Sequence, residues 1–196
     1  MKSSQREHAM QEVVLNQGAT YLVQEGPIAA LLLLGHGQVA VAGGNDNSVR
    51  LFDVQSKKLK KVLAEKHALP IVSLLQTEKH LVSCANSNEI YFWKKGENFP
   101  FVRKINPGRP VLGIARLPEY PVLLETGRAP LCIRSWSMNS FSQVGEQLAV
   151  SDVPNILRAL SSGHIFVAGF RGYLYIVRFD QKARRLVFDF KKNMYH

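Results

Sequence analysis

One short motif in the chain has the spacing of a nucleotide-binding turn. Gly35, Gly37 and Ala40 form the pattern G-x-G-x-x-A directly after an apolar run, and Asp53 follows further along. In a dinucleotide site these glycines open a helix whose N-terminus faces the pyrophosphate. Here the next residues are alternating valines and alanines that end in paired glycines, a pattern typical of a strand. We therefore predict a hairpin turn at Gly35–Gly37 and no nucleotide cofactor.

The histidines, cysteines and carboxylates of the sequence do not form a metal-binding or catalytic motif. The six histidines show no i, i+4 pair and have no cysteine or carboxylate at metal-ligand spacing. The chain contains no G-x-S-x-G, H-E-x-x-H or P-loop motif. Asp46, Asp53 and Asp180 each fall at a predicted turn or strand end, where aspartate accepts hydrogen bonds from backbone amides. We predict no metal site, no cofactor and no catalytic activity.

A repeating strand pattern organises the chain instead. The stretch from Gly43 to Asp53 is a polar turn followed by an alternating strand that ends in an aromatic residue. Equivalent positions recur at Phe52, Trp93, Trp136 and Val177, with spacings of 41, 43 and 41 residues. A period near forty made of short strands is the signature of β-propeller blades. The predicted fold is all-β, with blades of four antiparallel strands.

This period divides the chain into a series of units. Residues 1–10 are predicted to be a flexible tail, and residues 11–26 a hairpin that resembles the last two strands of a blade. Four complete blades are predicted at about 27–66, 67–106, 107–152 and 153–196. Propellers close into rings of four to eight blades. We expect an open, partial ring, with closure of four blades as the alternative.

The second unit carries the residues that indicate a family. His67 precedes a strand, Leu81-Val82-Ser83 forms the next, and Ile90 and Trp93 lie on the third. This unit is similar to the WD-repeat β-propeller family, in which His, Ser, Asp and Trp form a hydrogen-bonded tetrad. The chain departs from the family at Ser87, which stands in place of the turn aspartate. The resemblance implies structural roles for Asp46, Asp53, His67, Ser83, Trp93 and Trp136.

The same resemblance implies a non-catalytic scaffold that binds other proteins, as a subunit or fragment of a larger complex. WD-repeat proteins use their turn-lined faces for recognition, and aromatic and arginine side chains dominate binding hot spots. The candidates for partner binding are Arg109, Arg128, Phe170 and Arg171. Phe170 beside Arg171 would be an anchor if exposed, whereas burial between blades is the alternative.

Basic residues cluster at the opposite turns. The chain has a formal net charge of +10 and a pI near 9.8, which suggests acidic partners. A basic rim is predicted from Lys57, Lys58, Lys60, Lys61, Lys94, Lys95, Lys182, Arg184 and Arg185. The rim either promotes solubility and prevents strand pairing at the sheet edges, or binds anionic lipid headgroups or RNA.

The remaining features concern location. Two cysteines, Cys84 and Cys132, lie in predicted strands without a CxxC pattern, so we expect buried free thiols and a reducing compartment. Residues 1–12 lack the apolar segment of a secretory signal. The longest apolar run, Ile28 to Leu34, is too short to cross a membrane. The predicted location is the cytoplasm or the nucleus.

Overall fold

The computed structural model describes residues 26–43, 45 and 47–194, and within them the chain is built from sixteen strands without a helix. The strands form four antiparallel sheets of four strands each, in chain order, which we call blades 1 to 4. Blade 1 contains β1 (Ile28–Gly35), β2 (Gln38–Gly43), β3 (Ser48–Asp53) and β4 (Lys58–Val62). Blade 2 contains β5 (Ile71–Gln76), β6 (His80–Ala85), β7 (Ile90–Lys94) and β8 (Phe101–Ile105). Blade 3 contains β9 (Val111–Arg116), β10 (Val122–Gly127), β11 (Cys132–Ser137) and β12 (Gln143–Ala149). Blade 4 contains β13 (Pro154–Ala159), β14 (Ile165–Gly169), β15 (Tyr173–Asp180) and β16 (Arg185–Asn193).

The predicted all-β fold is confirmed, and the strand ends differ from expectation in small ways. β5 was expected from Leu69 but begins at Ile71, because Pro70 has no N–H to donate to a strand ladder. β13 begins at Pro154, two residues before the predicted start, since proline is accepted as the first residue of a strand. The predicted hairpin at 11–26 lies outside the described residues except for Gly26, and Asp46 also lies outside them.

Three hydrophobic cores hold the blades together, one between each pair of neighbours. Between blades 1 and 2 the core includes Leu51, Leu63 and Trp93; between blades 3 and 4 it includes Ile133 and Tyr175. The core between blades 2 and 3 packs Phe92 against Leu123 and Trp136. Burying one such side chain contributes about 1.5–3 kcal/mol. Because the second strands of blades 1 to 3 are buried on both faces, these strands are apolar almost throughout rather than alternating.

The first strand of each blade lies innermost. β1 packs beside β5, β5 beside β9, and β9 beside β13, whereas the described strands β1 and β13 do not pack side by side. The four inner strands line a central cleft of about 440 Å³. In the part of the chain that the structure describes, no helix is long and apolar enough to cross a membrane. Both cysteines are free and buried, as predicted.

Candidate functional site

One end of the sheets carries the turns that join the second and third strand of each blade. We call this end the turn face, defined by the turns β2–β3, β6–β7, β10–β11 and β14–β15. The connections between consecutive blades reach the same end, because each sheet is antiparallel and has four strands. The turn face thus presents short loops on a framework of packed strands, an arrangement suited to recognition.

The β14–β15 turn presents the most exposed large hydrophobic side chain among the described residues. Phe170 is 80% exposed, so it is not packed between blades. Its N–H donates to the Val153 carbonyl at 3.0 Å. Gly172 has a φ of 82°, a value that glycine adopts without strain. The aromatic ring is therefore held in solvent by a turn of fixed conformation.

A buried carboxylate fixes the same turn from below. Asp152 is 1% exposed, and its two oxygens accept hydrogen bonds from the N–H groups of Val153 at 2.7 Å and Arg171 at 2.6 Å. A Cβ atom at Gly169 would overlap this carboxylate, so the close approach requires glycine. Asp152 lies in the connection between blades 3 and 4. Its hydrogen bond with the Arg171 N–H therefore fixes the backbone from which the Arg171 side chain extends.

Arg128 and Arg171 are both exposed on the turn face, in the turns of blades 3 and 4. Each therefore presents an exposed cation at the same end of the array as Phe170. An arginine fork matches the geometry of a carboxylate and stacks on aromatic rings.

Arg109 occupies a different position from the one expected of a surface contact. Its side chain is 2% exposed and forms an ion pair with the buried Glu125, with Nη2 and Oε1 2.9 Å apart. The guanidinium also donates to the carbonyl oxygens of Pro130 and Cys132. These bonds hold the β10–β11 turn against blade 3, so Arg109 has no exposed group to offer a partner.

Glu125 completes this buried group. Its second oxygen lies 3.4 Å from Trp136 Nε1, which donates to it. Burial raises the pKa of the Glu125 carboxyl, and the neighbouring Arg109 cation offsets this effect only in part. Arg109, Glu125 and Trp136 therefore have a structural role inside blade 3.

Blade 2 contains a neutral group of the same kind. His67 Nε2 and Ser83 Oγ are 2.6 Å apart, and the imidazole stacks on the Tyr91 ring at 4.0 Å. Burial lowers the pKa of His67 to about 4, so the ring is neutral at physiological pH. His67 Nδ1, Ser87 Oγ and Trp93 Nε1 are buried without a hydrogen-bond partner. An aspartate at position 87 would replace the unpartnered Ser87 hydroxyl with a carboxylate, which would accept a hydrogen bond from His67 Nδ1.

The two groups share one spacing in the sequence. His67 and Ser83 are sixteen residues apart, and so are Arg109 and Glu125. Trp93 and Trp136 stand at the equivalent places on the third strands. The sixteen-residue spacing is the sequence signal that indicates the burial of Arg109 in blade 3.

The basic rim lies at the end of the sheets opposite the turn face. Lys57, Lys58, Lys94, Lys182, Arg184 and Arg185 are exposed there or at the adjoining strand ends. Lys60 pairs with Asp53 at 3.0 Å, and Lys61 Nζ donates to the Asn98 carbonyl at 2.7 Å, which brings the basic turns of blades 1 and 2 together. The Ser56 N–H and the Lys60 ammonium lower the pKa of Asp53 to about 2. Asp180 is likewise a turn carboxylate, which accepts from the Ala183 N–H.

We found no catalytic arrangement with a formed substrate site among the residues described. Ser162 Oγ lies 3.0 Å from His164 Nδ1, and His164 Nε2 lies 3.1 Å from Asp189. Ser162 and His164 lie in the β13–β14 turn, whereas Asp189 lies in the outer strand β16 and also pairs with Arg178 at 2.8 Å. The nearby Gly163 N–H already donates to the Leu160 carbonyl, so it cannot stabilise an oxyanion. No group of three His, Cys, Asp or Glu side chains in the described ranges could hold a metal ion.

The comparisons with known proteins agree with the architecture. No protein-family model and no curated protein matches the chain. Among solved structures, the WD40 repeats of RRP9 superpose with a TM-score of 0.69 and 20% identity, over 82% of this chain and 50% of that one. The structure of U3-55K gives a TM-score of 0.70 and 20% identity, with 82% and 51% covered.

A third match is the WD40 β-propeller domain of Doa1, with a TM-score of 0.68, 16% identity and coverage of 80% and 52%. The chain thus spans about half the length of the solved structures that it matches. The four four-stranded blades of this chain have the fold of a WD40-repeat β-propeller.

Proposed function

We propose that this chain is a non-catalytic scaffold that binds another protein through the turn face, with Phe170 as its anchor. The observation that carries the proposal is the 80% exposure of Phe170 on a turn that Asp152 holds in place. Burying a phenylalanine ring on binding contributes about 1.5–3 kcal/mol. Because the turn is already ordered, little conformational entropy is lost when a partner covers it.

Two exposed arginines on the turn face favour a partner that carries carboxylates. Arg171 and Arg128 are exposed on the turn face, and the chain as a whole is strongly basic. A partner segment that inserts an apolar side chain against Phe170 and places carboxylates beside the arginines fits this surface. The three WD40 matches support a role in protein interaction, since the fold presents short loops on a framework of packed strands.

Comparative affinity purification tests the proposal. Tagged wild-type chain and the double variant Phe170→Ser/Arg171→Glu are purified from the same cells, and bound proteins are quantified by mass spectrometry. Val54→Ser is the matched control, because Val54 is 51% exposed in the β3–β4 turn at the opposite end. We expect proteins that the double variant loses and the control retains. The same bound proteins at the same abundance in all three samples would contradict the proposal.

The basic rim supports a second candidate function, the binding of anionic lipid headgroups or RNA. The specific observation is that Lys61 reaches the Asn98 carbonyl, so the lysines of the first two blades form one adjoining surface. Such binding should weaken steeply as salt rises. Replacing Lys57, Lys58, Lys60 and Lys61 with glutamate should abolish binding to anionic vesicles and to RNA, and binding that survives both treatments would exclude this function.

We further propose that residues 11–196 act as one propeller array, preceded by the tail at 1–10, within a larger complex in the cytoplasm or nucleus. The buried free thiols of Cys84 and Cys132 are suited to those reducing compartments. Size-exclusion chromatography of native extract tests membership of a complex, which predicts elution well above the 22.0 kDa mass of the chain.

A further inference from the structure

A cavity lies between blades 2 and 3, at the end of the sheets opposite the turn face. Its volume is about 360 Å³, within the range of about 300–1,000 Å³ that is usual for small-molecule sites. Three turns line it: β5–β6 of blade 2, and β9–β10 and β11–β12 of blade 3. Of the described residues that line it, none belongs to the basic rim. We call this cavity the interblade pocket.

The turns around the interblade pocket are fixed by their own hydrogen bonds. In the β5–β6 turn the Thr77 N–H donates to the His80 carbonyl at 2.8 Å, and the Thr77 hydroxyl accepts from the His80 N–H at 2.9 Å. In blade 3 the Met138 N–H donates to the Pro121 carbonyl at 2.8 Å, which joins the other two turns. The pocket is therefore formed before a ligand enters, and binding requires little ordering of the backbone.

Arg116 supplies a cation to the wall of the pocket. It is the last residue of β9, and its side chain is 27% exposed. Its Nη2 donates to Glu78 Oε1 at 3.1 Å and to the Pro118 carbonyl at 3.2 Å. The Nε N–H is buried and has no hydrogen-bond partner among the described residues. Buried donors without an acceptor are rare in native proteins, so this one marks a place where an acceptor is favourable.

Glu78 satisfies this guanidinium only in part. Nε and Nη2 lie on one edge of the planar guanidinium, and a well-placed carboxylate accepts hydrogen bonds from both. Glu78 bonds to Nη2 alone, and its side chain is 80% exposed, so the contact contributes little to stability. A ligand carboxylate in its place could bond to both nitrogens and make the hydrogen bond that Glu78 leaves unmade.

Ring and apolar side chains form another part of the pocket wall. Tyr120 and Met138 line it from blade 3, and His80 lines it from blade 2. The Tyr120 ring packs against Phe179 with centroids 5.7 Å apart, and the His80 ring packs edge-on against Phe92 at 6.0 Å. Because both rings are held by neighbours, they offer a rigid surface to an apolar group beside the cation.

We propose that the interblade pocket binds a ligand in which one carboxylate is joined to an aromatic or apolar body. The carboxylate displaces Glu78 and accepts from Nε and Nη2 of Arg116, while the body packs against Tyr120 and Met138. Both a free small acid and the C-terminus of a peptide have this chemistry.

The remaining charges at the pocket limit the charge of the ligand. Besides the Arg116–Glu78 pair, the charged side chains of the lining are Lys79 and Glu119, which are both exposed. These two groups have opposite signs, so the lining as a whole has no excess of positive charge. A ligand with a single negative charge fits this wall better than a multiply charged phosphate.

Titration of the ¹⁵N-labelled 196-residue chain, followed by NMR, tests the proposal. The probe is 3-phenylpropionate, and its matched control is 3-phenylpropanamide, which has the same body without the charge. We expect the acid to shift the amide signals of the three lining turns, and the amide to bind at least roughly tenfold more weakly. Equal affinity for the two probes, or no shift in these turns at about 10 mM acid, would overturn the proposal.

Two variants change the affinity for 3-phenylpropionate in opposite directions. Arg116→Lys keeps the charge but loses the planar fork, so the dissociation constant should rise roughly tenfold. Glu78→Gln removes the competing carboxylate, so the dissociation constant should fall roughly threefold or more. Glu97→Gln is the matched control, because Glu97 is exposed in the β7–β8 turn at the same end and does not line the pocket. Affinity that neither Arg116→Lys nor Glu78→Gln alters would contradict the role of this pair.

A further comparison identifies the source of the carboxylate. The tripeptide N-acetyl-Gly-Gly-Phe with a free C-terminus is titrated beside 3-phenylpropionate. Tighter binding of the tripeptide indicates the C-terminus of a peptide, whereas tighter binding of 3-phenylpropionate indicates a free acid, and either result supports the proposal. The interblade pocket lies at the opposite end from Phe170, so its failure to bind both probes leaves the proposed partner binding to its own experiment.

Discussion

Replacing Arg109 with methionine should destabilise the protein strongly, because it leaves the Glu125 carboxylate buried without its cation. Arg109 and Glu125 are 2% and 0% exposed at their side chains. After the change, Glu125 keeps the hydrogen bond from the Trp136 N–H at 3.4 Å. Removing one partner of a buried ion pair costs about 3–5 kcal/mol. For a chain of this size a loss of about 4 kcal/mol corresponds to a Tm lower by roughly 8–16 °C.

Urea denaturation followed by tryptophan fluorescence measures the effect, since Trp136 belongs to the same group. The matched control is Arg109→Met/Glu125→Leu, which removes both charges and should cost about 2 kcal/mol less than the single change. The single variant should also be more stable at pH 5 than at pH 8. The pKa of Glu125 would then rise further above its unfolded value, so protonation favours the folded state as pH falls through it. Equal stability of the single and double variants would refute the buried-pair interpretation.

Three further outcomes follow from the buried polar groups. Ser87→Asp should stabilise the fold by about 1 kcal/mol in thermal melts and raise the pKa of His67, because a carboxylate would accept a hydrogen bond from the unpartnered His67 Nδ1. Unchanged stability and an unchanged imidazole titration by NMR would contradict this. His67 has a folded pKa of about 4, below its unfolded value, so stability should fall as pH drops from about 6.5 to 4, and His67→Gln should flatten that dependence in denaturation experiments. Cys84 and Cys132 should resist a thiol reagent in native buffer and react only after unfolding. Both side chains are buried, and burial raises the pKa of the Cys84 thiol. Rapid labelling of the native protein would contradict this expectation and show that the blades open.

The strand order was predictable because it depends on local patterns that repeat. Apolar runs of strand length, separated by turn residues at a period near forty, indicate a blade at each repeat. Phe52, Trp93 and Trp136 set that period, and each lies on the third strand of its sheet. Proline explains the small shift at the start of β5, since residue 70 cannot donate a ladder hydrogen bond.

The candidate site was less predictable, because charge in a sequence does not show where a side chain lies. Arg109 and Arg171 both lie in predicted connections between strands, yet Arg109 is buried against Glu125 and Arg171 is exposed. Phe166 and Ile176 show the same limit, because they are half-buried although they resemble their buried counterparts Val82 and Phe92 in blade 2. Only the packing of whole blades shows how far each of these side chains is buried.

Site-specific photo-crosslinking at position 170 tests the scaffold account most directly. A benzophenone amino acid replaces Phe170 in the chain expressed in its own cells, and the same group replaces Val54 at the opposite end as the control. The account predicts covalent adducts with one or a few proteins from position 170, and their loss when Arg171→Glu is added. Adducts that form equally at both positions, or none at position 170, would contradict the claim that the turn face binds a protein partner.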